Sequence, residues 1–94
     1  MSVIITREGP VTIVTIDRPT RRNAVDPDTA AALRDAFAAF ADDSDARVAI
    51  LTGSAGHFCA GFDLKGVGTS RYDPDGPGPM GPTRMLLGKP VIAA

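Results

Sequence analysis

Residues 48–65 read V-A-I-L-T-G-S-A-G-H-F-C-A-G-F-D-L-K, an apolar run that passes through two glycine-containing breaks. The first part, residues 48–52, is nearly all apolar, as is typical of a strand buried on both faces. Residues 53–56 are rich in glycine and predict a turn. Gly61 then separates a second apolar run from Asp63, where a helix could begin. A glycine between a strand and a helix lets the chain turn sharply and lets a ligand approach the backbone closely.

Free backbone N–H groups at this glycine turn could bind an anionic or partly anionic oxygen. An N–H aimed at a thioester carbonyl would stabilise the oxyanion that forms as negative charge develops, and losing such a donor costs on the order of a hundredfold in rate. The backbone N–H of Phe62 is the candidate donor. The plainer alternative is that Gly61 only turns the chain, because strand–glycine–helix junctions are abundant.

Two strands are predicted at the start of the chain. Residues 3–6 form a β-branched run, Gly9-Pro10 interrupts it, and residues 11–16 alternate apolar and hydroxyl side chains. This pattern predicts a hairpin with one buried face. Pro19 ends the second strand because proline lacks the N–H that a ladder needs, and the polar residues 20–23 predict a loop.

An amphipathic helix is predicted between Asp26 and about Asp43. Asp26 can cap free N–H groups, Pro27 suits the first helical position, and Asp28 complements the positive end of the helix dipole. Apolar residues recur at intervals of three or four along this segment and predict a single buried face. They are Ala30, Leu33, Phe37 and Phe40.

The last third of the chain differs in composition. Residues 68–82 contain four glycines and four prolines with almost no apolar periodicity, which predicts a mobile loop. A short helix over residues 83–87 could follow it. Residues 91–94 begin a buried-type strand that ends without a turn or a polar tail, and such an end would leave apolar side chains and unpaired backbone in water. We therefore expect further polypeptide after Ala94.

Length and composition limit the classes of function. A chain of 94 residues can bury one small core, so one domain is the most it can form. Its 10 basic residues against 11 acidic residues leave a net charge of -1, which excludes the basic field that nucleic-acid binding needs. No secretion signal or membrane-spanning run is recognisable, and a cytoplasmic protein is expected. Cys59 and His57 are the only residues of their types, so neither a disulfide nor a Cys-based or His-based metal site is expected.

Four features occur in an order that resembles the enoyl-CoA hydratase/isomerase (crotonase) superfamily. They are the opening hairpin, D-R-P at residues 17–19 followed by R-N-A at 22–24, the strand at 48–53, and F-C-A-G-F-D-L-K at 58–65. Residues 89–94 then resemble the strand that leads into the family's second glycine-rich motif. The resemblance implies that residues 1–94 are the N-terminal part of a crotonase-like domain. The implied fold is α/β, the N-terminal portion of a crotonase-like (ClpP/crotonase) spiral of repeated strand-strand-helix units.

The resemblance also implies roles for individual positions. The N–H of Phe62 would be the first oxyanion-hole donor, Lys65 would lie near a phosphate or the adenine of coenzyme A, and the loop around Asn23 would flank the pantetheine and adenine end. The residues implied to bind substrate are Arg22, Asn23, Ala24, Ala60, Gly61, Phe62, Asp63, Leu64 and Lys65. The family commonly has a small residue at the position of Phe62, so the bulk of this side chain leaves the preferred acyl chain length open.

Each of these residues also has a purely structural interpretation. Lys65 and Arg22 could be solvated surface side chains. Asn23 could organise its turn through hydrogen bonds from its side chain to the backbone. His57 is expected in a loop and Cys59 as a small buried hydrophobic residue, so neither is assigned to catalysis.

In the complete protein, the resemblance implies addition of water across the double bond of a trans-2-enoyl-CoA, with coenzyme A as part of the substrate and no separate cofactor. In the hydratases, two glutamates perform the acid and base steps, and both lie beyond the segment that matches Ala94. Glu8, the only glutamate here, matches neither. This chain alone is therefore expected to be inactive, and self-association into a homotrimer or homohexamer is implied.

Two other functions stay open. Isomerases, decarboxylases, thioester hydrolases and ring-forming members of the superfamily share this N-terminal half and differ in acids contributed later. The second alternative is a non-catalytic, truncated acyl-CoA-binding or scaffold fragment, which would act only by associating with a partner. For catalysis, the partner implied is the remainder of the same protein. We expect the isolated chain to be neither folded nor monomeric, because half a spiral leaves apolar surface unburied.

Overall fold

The computed structural model describes residues 2–61, 81–82 and 87–94. In these residues the chain forms one α-helix, one 3₁₀ turn and four strands. In order they are β1 (Val3–Glu8), β2 (Val11–Ile16), the 3₁₀ turn (Pro19–Arg21), α1 (Pro27–Asp42), β3 (Val48–Gly53) and β4 (Val91–Ala93). The two predicted strands of the hairpin, the helix and the strand after it are therefore confirmed. Gly53 is the last residue of β3, so the predicted turn over residues 53–56 starts one residue later than expected.

The strands form one mixed sheet in the order β1-β2-β3-β4. β1 and β2 pair antiparallel through a tight turn that brings Glu8 opposite Val11. β2 pairs parallel with β3, and β3 pairs parallel with β4. A parallel pair needs a long connection, and α1 supplies it between β2 and β3. The carboxyl ends of β2 and β3 consequently lie at the same edge of the sheet.

Helix α1 begins and ends where its sequence predicts. Asp26 is the N-cap, and its side chain accepts a hydrogen bond of 2.8 Å from the backbone N–H of Thr29. Asp43 is the C-cap, and its N–H donates to the carbonyl of Phe40. The predicted apolar stripe is buried, and the rings of Phe37 and Phe40 meet edge to face at 6.5 Å. Burying a side chain of this size contributes about 2 kcal/mol or more.

The core lies between α1 and one face of the sheet. On β2 this face carries Thr12, Val14 and Ile16, all buried, which confirms the predicted single buried face of that strand. On β1 only Val3 is buried. Eleven residues share the core: Val3, Val14, Ile16, Val25, Ala30, Leu33, Ala36, Phe37, Phe40, Ala46 and Ala49.

The prediction that β3 is buried on both faces is wrong for the described residues. Only Ala49 is fully buried, and the other residues of the strand are half-buried. The register explains the difference, because Ala49 pairs with Thr12 on the face that α1 covers, whereas Ile50 pairs with Ile13 on the opposite face. An apolar run therefore indicated a buried strand without showing how completely each face is covered.

The predicted loop over residues 68–82 and the predicted helix over residues 83–87 lie outside the described residues, apart from Gly81, Pro82 and Leu87. Gly81 is buried, and a Cβ at this position would stand 2.5 Å from the carbonyl oxygen of Ala30. Among the described residues, no helix is long and apolar enough to cross a membrane. The same residues contain no group of three or more His, Cys, Asp or Glu side chains placed to hold a metal ion.

Candidate functional site

Two loops meet at the edge of the sheet where β2 and β3 end. The loop after β2 contacts the loop after β3 through two backbone hydrogen bonds, from Ala60 N–H to the Arg22 carbonyl (3.1 Å) and from Val25 N–H to the Gly61 carbonyl (2.8 Å). In α/β sheets, ligands bind in the crevice outside the carboxyl ends of the strands. We refer to residues 17–26 and 54–61 together as the loop end of the sheet.

Five of the predicted site residues lie in this loop end. They are Arg22, Asn23, Ala24, Ala60 and Gly61. The structure brings them together although almost 40 residues of sequence separate the two groups. The other four predicted site residues, Phe62, Asp63, Leu64 and Lys65, lie outside the described residues.

The loop after β2 has an uncommon backbone conformation. Arg22 and Asn23 follow the 3₁₀ turn with φ angles of 51° and 59°. Asparagine tolerates this left-handed region, but arginine enters it at a cost on the order of 1 kcal/mol. The N–H of Asn23 donates to the Arg18 carbonyl at 2.9 Å and closes the turn. The contacts that the loop makes therefore stabilise this strained backbone conformation.

Asn23 makes the most extensive of these contacts. It is fully buried, and its side-chain oxygen accepts a 2.8 Å hydrogen bond from the backbone N–H of Arg18. Its side-chain nitrogen donates to two carbonyls of the second loop, those of Ser54 at 2.9 Å and His57 at 2.6 Å. One amide thus joins the end of β2 to both ends of the turn over residues 54–57.

Gly53 leaves the space that this arrangement needs. A Cβ at this position would overlap the backbone carbonyl oxygens of His57 and Phe58, and it would stand 2.8 Å from the side-chain nitrogen of Asn23. The constraint is one of space, because the second loop folds back directly over the end of β3. Any side chain at this position would displace the segment that leads to Gly61.

Ionic and hydroxyl contacts hold the rest of the loop end. Ser54 Oγ donates to a carboxylate oxygen of Asp17 at 2.8 Å. Arg18 pairs with Asp26 at 3.2 Å and also donates to the carbonyl of Ala24. Hydrogen bonding from Thr29, above all from its side chain, lowers the pKa of Asp26 together with the Arg18 charge, against the opposing effect of burial. These carboxylates serve the fold and the helix cap.

The turn at Gly61 has two properties that matter for binding. Its φ angle is 99°, in a region that side chains rarely adopt, and none of the described residues beyond its chain neighbours has an atom within 4 Å of where its Cβ would stand. Its N–H donates to the sulfur of Cys59 at 3.4 Å, while the N–H of Ala60 is bonded to the Arg22 carbonyl. The backbone N–H groups of residues 60 and 61 therefore already have protein partners.

The exposed basic side chains at the loop end favour the binding of an anion. Arg21 and Arg22 are exposed at its surface, next to the exposed Ala60. Glu8 is the only glutamate of the chain, and it lies at the opposite end of β1, beside the hairpin turn. In the part of the chain that the structure describes, the loop end thus offers exposed arginine groups for binding and no glutamate for proton transfer.

The structure separates the two interpretations of several residues. Asn23 and Ala24 are buried, and the side chain of Asn23 makes hydrogen bonds to protein groups of both loops. These contacts favour its predicted role as an organiser of the turn, and its place beside the substrate stays a prediction. His57 lies in a loop as predicted, and Cys59 is half-buried and packs against the core.

Sequence reasoning missed the roles of Gly53, Arg18 and Ser54. Gly53 ends a strand and does not belong to the predicted turn, and it is required by the carbonyls of His57 and Phe58 that fold back over it. The only signal in the sequence was a glycine at the end of an apolar strand, which does not specify what approaches it. The pairing of Ser54 with Asp17 likewise depends on the parallel register of β2 and β3.

Comparisons with known proteins agree with this geometry. The family described as "Enoyl-CoA hydratase/isomerase" matches residues 6–78. A curated relative from Salmonella arizonae, named carnitinyl-CoA dehydratase, is 46% identical over 99% of this chain and 37% of its own length. Similar proteins from other Salmonella strains carry the same name and the same identity. The chain therefore spans about a third of the length of the curated relatives it matches.

Solved structures give the same result. The enoyl-CoA hydratase of Mycobacterium marinum superposes with a TM-score of 0.90 at 37% identity, over 99% of this chain and 37% of that chain. The carnitinyl-CoA hydratase of Mycobacterium avium superposes with a TM-score of 0.87 at 34% identity, over 98% of this chain and 37% of that chain. The predicted crotonase-type α/β fold is confirmed, and the chain belongs to the enoyl-CoA hydratase/isomerase family.

Proposed function

We propose that the loop end binds an acyl-CoA thioester and that the backbone N–H of Phe62 donates to the thioester oxygen. The observation that supports this proposal is the pair of backbone hydrogen bonds between residues 22–25 and 60–61. They fix the chain up to Gly61 and occupy the N–H of Ala60, while the N–H of Gly61 faces Cys59 Sγ. The next donor in the sequence is that of Phe62.

The coenzyme part of the substrate accounts for the basic surface. Exposed guanidinium groups bind phosphate well, and Arg22 stands directly beside the Ala60–Gly61 turn. We assign Arg22 to a phosphate of coenzyme A, with Lys65 as a second cation. Ala60 and Gly61 allow close approach of the pantetheine chain, and we assign Asp63 and Leu64, which lie outside the described residues, to the same groove. No cofactor beyond coenzyme A is proposed.

The proposed reaction of the complete protein is hydration of a trans-2-enoyl-CoA. A carboxylate takes a proton from water as the water oxygen bonds to the β-carbon, and the double-bond electrons move onto the thioester oxygen. The N–H of Phe62 stabilises this oxyanion. A proton delivered to the α-carbon then completes the product. We assign the acid and base to two glutamates outside these 94 residues, since the only glutamate here lies at the hairpin.

A second candidate is the dehydration of carnitinyl-CoA, the activity in the name of the curated relatives at 46% identity. The two candidates share the thioester site and the type of reaction, and differ in the acyl group. Isomerase, decarboxylase and thioester hydrolase activities use the same N–H donor with other acids and remain alternatives, as does acyl-CoA binding without turnover. A homotrimeric or homohexameric assembly and a cytoplasmic location also stand as proposals.

The test uses the complete gene product that contains this sequence. Turnover is measured by loss of the enoyl-thioester absorbance with short and medium trans-2-enoyl-CoA, and in parallel by dehydration of carnitinyl-CoA. Preferred turnover of simple enoyl-CoA supports the first candidate, and preferred turnover of carnitinyl-CoA supports the second. If neither substrate turns over while an acyl-CoA still binds, both the hydration and the dehydration proposals are wrong.

The coenzyme contact is tested by Arg22→Gln, with Arg34→Gln as its matched control. Arg34 is exposed on α1 and, among the described residues, pairs with Asp35 beside it. Removing a charged contact made equally in substrate and transition state raises KM without changing kcat. We expect Arg22→Gln to raise KM about fivefold to tenfold and Arg34→Gln to leave it unchanged. Equal KM values for the two variants would remove Arg22 from the site.

A further inference from the structure

The side chain of Asn23 is enclosed by the protein and hydrogen-bonds through both its oxygen and its nitrogen. A side-chain amide offers one oxygen acceptor and two N–H donors. Here the oxygen accepts from Arg18 N–H, and the nitrogen donates to the Ser54 and His57 carbonyls. With 0% exposure, the amide is enclosed as well as occupied. Asn23 must therefore act through the two chain segments that its side chain joins.

Those segments lead directly to the proposed oxyanion donor. Residues 57–61 are attached to the first loop at three points: the His57 carbonyl, the Ala60 N–H and the Gly61 carbonyl. The last two are backbone contacts to residues 22 and 25. The first is the only one of the three made by a side chain, and it holds the end of the segment that is farther from Gly61.

The three attachments act on a segment of five residues. If the amide of Asn23 is lost, two part-buried carbonyl oxygens lose their donor, and the turn over residues 54–57 must shift or admit water to solvate them. Residues 58–61 follow that turn without a break. A displacement of about 1 Å of a catalytic group can cost on the order of a hundredfold in rate. The position of the donor after Gly61 is sensitive to such a shift.

We propose that Asn23 is a positioning residue for the oxyanion donor. It holds the Ser54–His57 turn so that the chain leaves Gly61 in the orientation the thioester requires. This inference rests on the proposed function, because the donor that it positions belongs to that function. It differs from a purely structural role in predicting a loss in kcat that exceeds any loss of stability or of substrate binding.

Asn23→Asp is the most informative substitution. It keeps the size of the side chain, its tolerance of a positive φ angle and its acceptor oxygen, and it replaces the two N–H donors by a second oxygen. Asn23→Gly is the second variant, which tolerates the same backbone conformation without placing a charge in the core. Gly9→Ala is the control, since its positive φ angle of 58° makes it destabilising at the opposite end of the sheet.

The complete gene product is assayed with a trans-2-enoyl-CoA at a temperature well below the melting temperature of every variant. The expected result is a fall in kcat of about tenfold to a hundredfold for both Asn23 variants, with KM changed less than about threefold. Amide hydrogen exchange of peptides covering residues 54–61 is expected to accelerate in the same variants. Gly9→Ala is expected to change neither kcat nor exchange in these peptides.

The outcomes separate the two proposals. If the wild type turns over and the Asn23 variants that fold keep its kcat, or lose kcat no more than Gly9→Ala does, the positioning role is wrong and the proposed function stands. A raised KM with an unchanged kcat would likewise show that the positioning role is wrong while the proposed function stands. If the wild type shows no turnover with any enoyl-CoA, the proposed function fails and the positioning role is overturned with it.

Discussion

Each end of the sheet contains a glycine, and the two glycines are required for different reasons. At the hairpin end, Gly9 turns the chain with a φ angle of 58°, and a Cβ there would meet no atom of the described residues within 4 Å, apart from its chain neighbours. At the loop end, Gly53 has no room for a Cβ, because two carbonyls and the Asn23 amide surround it. One glycine is required by its own backbone conformation and the other by the atoms that fold over it, two carbonyls of the following loop and the amide of Asn23.

The polar contacts at the two ends differ in the same way. At the hairpin end, Arg7 pairs with Asp43 at the surface, with side chains 42% and 34% exposed. At the loop end, Asn23 makes three hydrogen bonds at 0% exposure. Buried polar networks and left-handed residues persist only where the surrounding structure determines them, and they concentrate at functional sites. The contrast locates the constrained region of this chain at the loop end.

Gly53→Ala against Gly9→Ala is the sharpest test of this contrast. Adding a methyl group at residue 53 must displace the backbone of residues 57–58 and break at least one bond of Asn23, at a cost of about 3 kcal/mol. Gly9→Ala strains only its own backbone, at about 1 kcal/mol. Denaturant unfolding of the complete gene product measures both. Equal losses for the two variants would show that the loop end is no more constrained than the hairpin.

The second prediction concerns the end of α1 that lies near the hairpin. Lys89 donates to the carbonyls of Phe40 and Asp43 at 2.8 and 2.6 Å, and its ammonium stands 4.9 Å from the centre of the Phe40 ring. A cation at a helix C-terminus complements the dipole, so Lys89→Met is expected to cost about 1 to 2 kcal/mol.

Arg7→Gln is the matched control for Lys89→Met. It removes the exposed pair with Asp43 and is expected to cost less than about 0.5 kcal/mol. Neither substitution should alter the amide exchange of residues 54–61, because both act at the opposite end of the sheet. If Lys89→Met is no more destabilising than Arg7→Gln, the hairpin end is held by local structure alone.

The smallest predicted effect depends on pH. Asp26 has a lowered pKa in the folded protein, through hydrogen bonding from Thr29 and the charge of Arg18. The charge therefore contributes stability above the unfolded-state pKa of about 3.9, and this contribution is lost as the pH falls through the lower folded-state pKa. Asn caps a helix as well as Asp does, so Asp26→Asn isolates the charge.

For Asp26→Asn we expect a loss of less than about 1 kcal/mol at pH 7. The difference from wild type should shrink as the pH is lowered below about 4. Urea midpoints of both proteins between neutral and acidic pH measure it. A difference that is constant with pH would show that the ionic contact with Arg18 contributes nothing at the loop end.

Local patterns predicted most of the fold. The hydroxyl and apolar alternation of residues 11–16, the Asp26-Pro27 helix start and the stripe ending at Phe40 each predicted an element that the structure contains. These signals are local, because a cap, a proline or a 3.6-residue period acts within a few residues. The coverage of β3 was predicted wrongly, because it depends on which face another element covers.

The site was predicted less completely. The motif around Gly61 and the R-N-A of residues 22–24 were both identified, but their direct contact through Ala60 and Val25 could not be read from either motif. The residue type of Asn23 favours an organiser of its turn, but the sequence does not show that its partners are the carbonyls of Ser54 and His57 in the second loop.

The sequence by itself determined the elements, the family and the position of the glycine turn, because each depends on residues close together in the chain. The tertiary structure alone decided that Gly53 must lack a side chain and that Asn23 joins two loops more than 30 residues apart. Parallel pairing of β2 with β3 places the ends of both strands at one edge, and the pairing forms only when α1 crosses the sheet. A contact made by such a crossover has no local signal in the sequence.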